Sequence, residues 1–134
     1  MVYTTELKLR TSAVPAQEIT GAVAEAIAAS GVKQGIVLVE TGNAASGVLR
    51  APAGNEKAMQ DVMKELRHLV PARINFANEE SPENTAGCVK CALFGASVAC
   101  AVVEGALSGV ENGIYFMDYD GPRTCTCTVC VLGQ

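Results

Sequence analysis

Two pairs of cysteines stand where both sulfurs of each pair would face the same way. Cys88 and Cys91 form a C-x-x-C in a stretch expected to be helical. Helical residues three apart lie on one side, with Cβ atoms about 5–6 Å apart. Cys125 and Cys127 are two apart in "TCTCTVCVL". On a strand that alternation puts them on one face, about 6.6 Å apart. Four thiolates so arranged suit a tetrahedral zinc site or an iron–sulfur cluster. Cys130 falls an odd number of residues further on and should point the other way, and Cys100 sits inside an apolar run. The competing reading is packing, because free cysteine fills cores as a small hydrophobe. Cys88 has a further possibility. If its helix starts near Thr85 with Asn84 as cap, the thiol lies near a helix N-terminus, where the thiolate is favoured.

Other polar residues with chemical potential lie in turns. In "DGPR", Asp120 can bond ahead to the backbone while Gly121 and Pro122 set the turn. Arg123 then precedes an uncharged strand, and a lone guanidinium there can hold a phosphate or carboxylate bidentately or close a salt bridge between subunits. Asn43 and Ser46 lie in the Gly-bounded loop "TGNAASG". They could donate to an anion, or the loop could simply turn the chain. The single histidine, His68, falls on the polar side of a helix, so no imidazole cluster can form within a subunit.

These residues need elements to hold them. "TTELKLRTS" (4–12) alternates as a half-buried strand. After Pro15, "QEITGAVAEAIAASG" reads as a helix burying Ile19, Val23, Ala26 and Ile27 and stopping at Gly31. "GIVLVET" (35–41) reads as a buried strand and "VLRAP" (48–52) as a short return strand. Residues 55–71 are the clearest helix, capped by Asn55 and ended by Pro71. Its apolar stripe is Ala58, Met59, Val62, Met63, Leu66, Leu69 and Val70; Asp61, Lys64, Glu65 and His68 make the wet face. A polar loop (72–84), a short helix (85–95) and strands at 97–104, 113–119 and 124–132 follow. Helices mixed with successive strands indicate an α+β fold.

The 134 residues suit one domain spanning 1–134, and 49% hydrophobic content predicts a folded globule. With aromatics at 4%, the core must rest on Ala, Val, Leu, Ile, Met and Cys, and small side chains favour sharing a core between subunits. Net charge is −4 with no Lys/Arg stripe, so nucleic acid is not an expected partner. The longest largely apolar run, "ASVACAVV", is far short of the ~20 residues of a membrane helix. Residues 1–14 show no signal peptide, and a cytoplasmic protein with free, metal-bound or catalytic thiols is expected.

The segments "GIYFMDYDGPRTCTCTVCVLG", "MQDVMKELRHLVP" and "PENTAGCVKCALFGASVACAVVEGAL" resemble the YjbQ family along nearly the whole chain. The resemblance implies a largely antiparallel, sandwich-like β core with packed helices. It also implies a homotrimer with clefts between subunits, and a weak secondary thiamine-phosphate synthase activity. Several motif residues differ. Asn43 stands at the first family histidine, Ala44 and Ala45 at the two threonines after it, and Cys88 at the third histidine. The "NFAN" loop (75–78) lacks the second, Pro52 replaces a glutamate, and Glu111 and Asn112 replace Trp-Gln. Asp120, Gly121, Pro122 and Arg123 are intact. Three functions follow as expectations. The first is a small anionic ligand bound through Asn43, Ser46, Asn112, Asp120 and Arg123, with little catalysis. The second is a thiol or zinc protein using Cys88, Cys91, Cys125 and Cys127. The third is a residual enzyme with Cys88 as nucleophile or ligand.

Overall fold

The computed structural model describes residues 1–134. In chain order the elements are β1 (Val2–Arg10), β2 (Ala16–Glu18), α1 (Thr20–Ser30), β3 (Gln34–Thr41), β4 (Ser46–Pro52) and α2 (Glu56–Leu69). Then come α3 (Pro82–Phe94), β5 (Ser97–Val103), β6 (Ala106–Leu107), β7 (Asn112–Asp118) and β8 (Thr124–Gly133). Two antiparallel sheets result, one ordered β1-β8-β3-β5-β6 and one β2-β7-β4. The α+β, sandwich-like expectation holds. No helix is long and apolar enough to cross a membrane.

The layering follows from which faces are apolar. The inner face of the larger sheet presents Leu9, Val37, Val39, Cys100, Val102, Cys125, Cys127, Val129 and Val131 to one core. Val23, Ala26 and Ile27 of α1 and Val48, Ile114 and Phe116 of the smaller sheet fill the other side. The smaller sheet is buried on both faces, because Tyr115 and Met117 point away from that core toward Met59 and Leu66 of α2. Hence residues 113–118 form a continuous buried run rather than an alternating one.

Four sequence expectations are corrected. Residues 16–18 join β7 as β2, so the first helix begins only at Thr20. Gly31 still closes it in the left-handed conformation. β3 is buried on one face only, with Ile36 and Leu38 on the outer side. β4 does not return along β3; it crosses to the other sheet and pairs with β7. In α2, Asn55 caps as expected, accepting from the Ala58 N–H at 3.0 Å, but Leu69 is exposed rather than part of the stripe. His68 is exposed.

Candidate functional site

The loop between β3 and β4, the turn between β7 and β8, and the first half of α3 converge at one end of the sandwich. Gly87 allows this approach: a Cβ there would stand 2.8 Å from Tyr119 Cβ and 2.9 Å from Ala45 Cβ. Asn43, Cys88, Asp120 and Arg123 belong to these segments and Ser46 opens β4 directly after the first, so the structure gathers five of the sequence-predicted site residues. Asn112 is the exception. It pairs with Pro52 at one end of β4, whereas Ser46 pairs with Asp118 at the other, roughly 20 Å away at 3.3 Å per residue.

The gathered groups are largely bonded to one another. Asp118, which the sequence reading passed over, is their centre. Its side chain is fully buried and accepts from Thr11 Oγ1 at 2.6 Å, Arg123 Nε at 3.0 Å and the Asp120 N–H at 3.2 Å. Arg123 Nη2 donates to the carbonyls of Ala44 (2.6 Å) and Ala45 (3.3 Å). The guanidinium therefore ties the turn to the β3–β4 loop within the chain. Asp120 does not bond ahead to its own turn; it accepts from Asn84 Nδ2 at 2.8 Å. Asn43 Oδ1 accepts the Thr126 N–H at 2.8 Å, and Ser46 Oγ donates to the Asn43 carbonyl at 2.6 Å. These bonds hold the three segments in register.

The cysteines do not assemble. No group of three or more His, Cys, Asp or Glu side chains is placed to hold a metal ion. Cys125 and Cys127 are fully buried in the core between the sheets, while Cys88 and Cys91 lie half-buried on α3. Burial, and then the nearby Glu40 charge, pushes the Cys127 thiol up to about 11; burial also raises Cys125 and Cys91. Cys125 and Cys127 pack among the aliphatic side chains of that core. The helix carrying Cys88 starts at Pro82, with Ser81 as cap accepting from the Asn84 N–H at 3.1 Å. Cys88 thus lies in the second turn, beyond the free N–H groups of the first. Its Sγ is 3.7 Å from Asn84 Oδ1.

A cavity of about 270 Å³ adjoins this end, between the 13–15 loop, α2, α3 and the end of β7. Met63, Leu66 and Met117 give it an apolar wall. Into it comes Lys90, only 9% exposed, with no carboxylate partner; the protein's one ion pair is Arg123–Asp118. The ammonium lies 5.3 Å from the centre of the Tyr119 ring, within cation–π range. Burial, and then the charge of Arg67 on the cavity rim, lowers the Lys90 pKa. The Tyr119 hydroxyl is buried without a partner, and burial pushes its pKa up to about 12. Sequence reasoning missed Lys90, Arg67 and Tyr119. The available signal was a lone charge in "NTAGCVKCALF" (84–94), an otherwise uncharged helical stretch.

Comparison with known proteins places this architecture. The family model for UPF0047 protein YjbQ-like matches residues 5–134. The chain belongs to the UPF0047 (YjbQ-like) family. A UPF0047 protein of Methanocaldococcus jannaschii is 30% identical over 118 residues, covering 87% of this chain and 84% of that protein. UPF0047 protein YugU of Bacillus subtilis is 31% identical, covering 87% and 88%. A crystal structure of a YjbQ/UPF0047 protein from Clostridium acetobutylicum superposes with TM-score 0.89 at 27% identity, covering 96% of this chain and 99% of that one. A YbjQ-like protein of unknown function from Sulfolobus solfataricus shares the fold at TM-score 0.92 and 22% identity, covering 100% and 99%.

Proposed function

We propose that this UPF0047 member binds a small anionic molecule, and that the anion sits in the cavity between α2 and α3 on Lys90 and Arg67. One observation carries the reading: Lys90 is buried against an apolar wall with a second cation beside it and no acid to neutralise either. Two like charges held beside an apolar wall without an acid repel each other, and a bound anion would relieve that repulsion. The neighbouring cavity of about 440 Å³ contains Glu18 and Glu56, so it is the poorer host for an anion. Arg123, with Nε and Nη2 already bonded within the chain, supports the fold beside the site rather than the ligand.

The test is thermal unfolding with inorganic phosphate and small phosphorylated or carboxylated molecules. A ligand at a hundredfold excess over its Kd adds about 2.7 kcal/mol to stability, a shift of several degrees. Lys90→Met should abolish the shift. Arg123→Ala should lower the starting Tm and leave the shift; the reverse pattern would return the anion to the Arg123 loop. The sign of the pH dependence is also fixed. Because the free protein holds the Lys90 pKa low, the anion binds with proton uptake and its affinity falls as pH rises through that depressed value.

We further infer self-association through the outer face of the larger sheet. One row there runs Val2, Leu132, Ile36, Ala101 and the next Thr4, Cys130, Leu38, Ala99, before the face turns polar at Glu6, Thr128, Glu40 and Ser97. Val2, Leu132 and Ile36 are each more than half exposed. A contiguous apolar patch of this kind marks an interaction surface, and the homotrimer implied by the family resemblance would cover it.

A further inference from the structure

Lys90 differs from the chain's other lysines in a way that matters beyond charge recognition. Lys8, Lys33, Lys57 and Lys64 are exposed. Lys90 alone faces a walled cavity, without a hydrogen-bond or carboxylate partner. Arg67, on the helix opposite, supplies a charge that cannot be titrated away, and Tyr119 closes the floor. A primary amine in that setting, in its neutral fraction, is also a nucleophile. From this geometry we infer that Lys90 condenses with the carbonyl group of a small anionic aldehyde or oxoacid whose anion is held by Arg67. The inference rests on the anion-binding reading above and adds the carbonyl to the ligand's chemistry.

The step balances with water as the only by-product. The neutral Nζ lone pair adds to the carbonyl carbon, the C–O π bond opens, and the oxygen takes up a proton while nitrogen loses one. The hydroxyl of the resulting carbinolamine takes up a second proton from solvent and leaves as water, and the nitrogen lone pair closes the C=N bond, giving a protonated imine on Nζ. No oxidant or metal is needed. The depressed pKa of Lys90 supplies a larger neutral fraction than an exposed lysine offers, and the apolar wall of Met63, Leu66 and Met117 limits return of bulk water to the imine.

Glyoxylate, the smallest anionic aldehyde, followed by borohydride reduction and peptide mass mapping, tests this on the intact protein. The expected result is a reduced adduct at Lys90 in about tenfold preference to the four exposed lysines. Saturating phosphate should remove that adduct. Lys90→Arg should lose it while keeping the phosphate-induced Tm shift. Labelling spread evenly over the exposed lysines, with the phosphate shift intact, overturns the amine chemistry and leaves the anion site standing. Absence of both the shift and the adduct overturns the two together. If Lys90→Arg fails to fold, phosphate protection of Lys90 in the unaltered chain decides the matter alone.

Discussion

Asp118 organises more of this protein than any residue that its sequence advertises. Its carboxylate takes four hydrogen bonds, from Thr11, Arg123, the Asp120 backbone and the Cys125 thiol, and none of its side chain meets solvent. Gly121 sits so close above it that a Cβ would be 2.4 Å from Asp118 Oδ2. Removing the carboxylate strands a partly buried guanidinium, and breaking such a pair costs about 3–5 kcal/mol. Asp118→Ala should therefore lower the urea midpoint steeply, and a loss under about 1 kcal/mol would show that the knot holds nothing. Asp118 was legible only in part. It continues the inward side of an apolar strand after Ile114 and Phe116, an unusual place for an acid. Asp120, the acid with the plainer turn chemistry, lies in the turn and bonds to α3. The cysteines show the opposite case. Alternation alone placed Cys125 and Cys127 on one face and Cys130 on the other, and the burial follows that pattern. What spacing does not reveal is whether a face meets solvent, another sheet or a metal.

Between elements, the contact that builds the candidate site is α3 against the start of β4. It depends on Gly87, since the nearest backbone and side-chain atoms leave no space for a larger residue. Gly87→Val should push α3 outward, cost about 2 kcal/mol by overpacking, and widen the cavity that Lys90 shares with α2. Circular dichroism with thermal unfolding reads the first effect; weakened phosphate binding reads the second. An unchanged Tm would mean the helix packs elsewhere. The long elements were legible because each has a period: α2 has a cap and a stripe, and β1 and β8 alternate. The short strands β2 and β6, of three and two residues, are too brief to carry a period and are fixed by partners far along the chain. The same limit explains β4. Its pairing with β7 rather than β3 is a tertiary choice, made because β7 offers two apolar faces.

The whole molecule is a sandwich of small aliphatic side chains, and its remaining apolar surface lies outside. If the outer sheet face is where copies meet, light scattering should give a mass of three chains. Ile36→Glu, placed centrally between Leu132 and Ala101, should give monomers with a native spectrum. A trimer that survives this charge would move the interface elsewhere. Family and fold were legible from the motifs; the cavity proposed to hold an anion was not, because Lys90 acquires its character only when α2 and β7 close around it. The position of β8 has a consequence during synthesis. It is the final element in chain order, yet it lies between β1 and β3 and pairs with both. Until residues 124–133 leave the ribosome, β1, made first, has no neighbour and β3 has only one. A nascent chain must carry these open strand edges while residues 42–123 are added, which is when chaperone binding would protect it most.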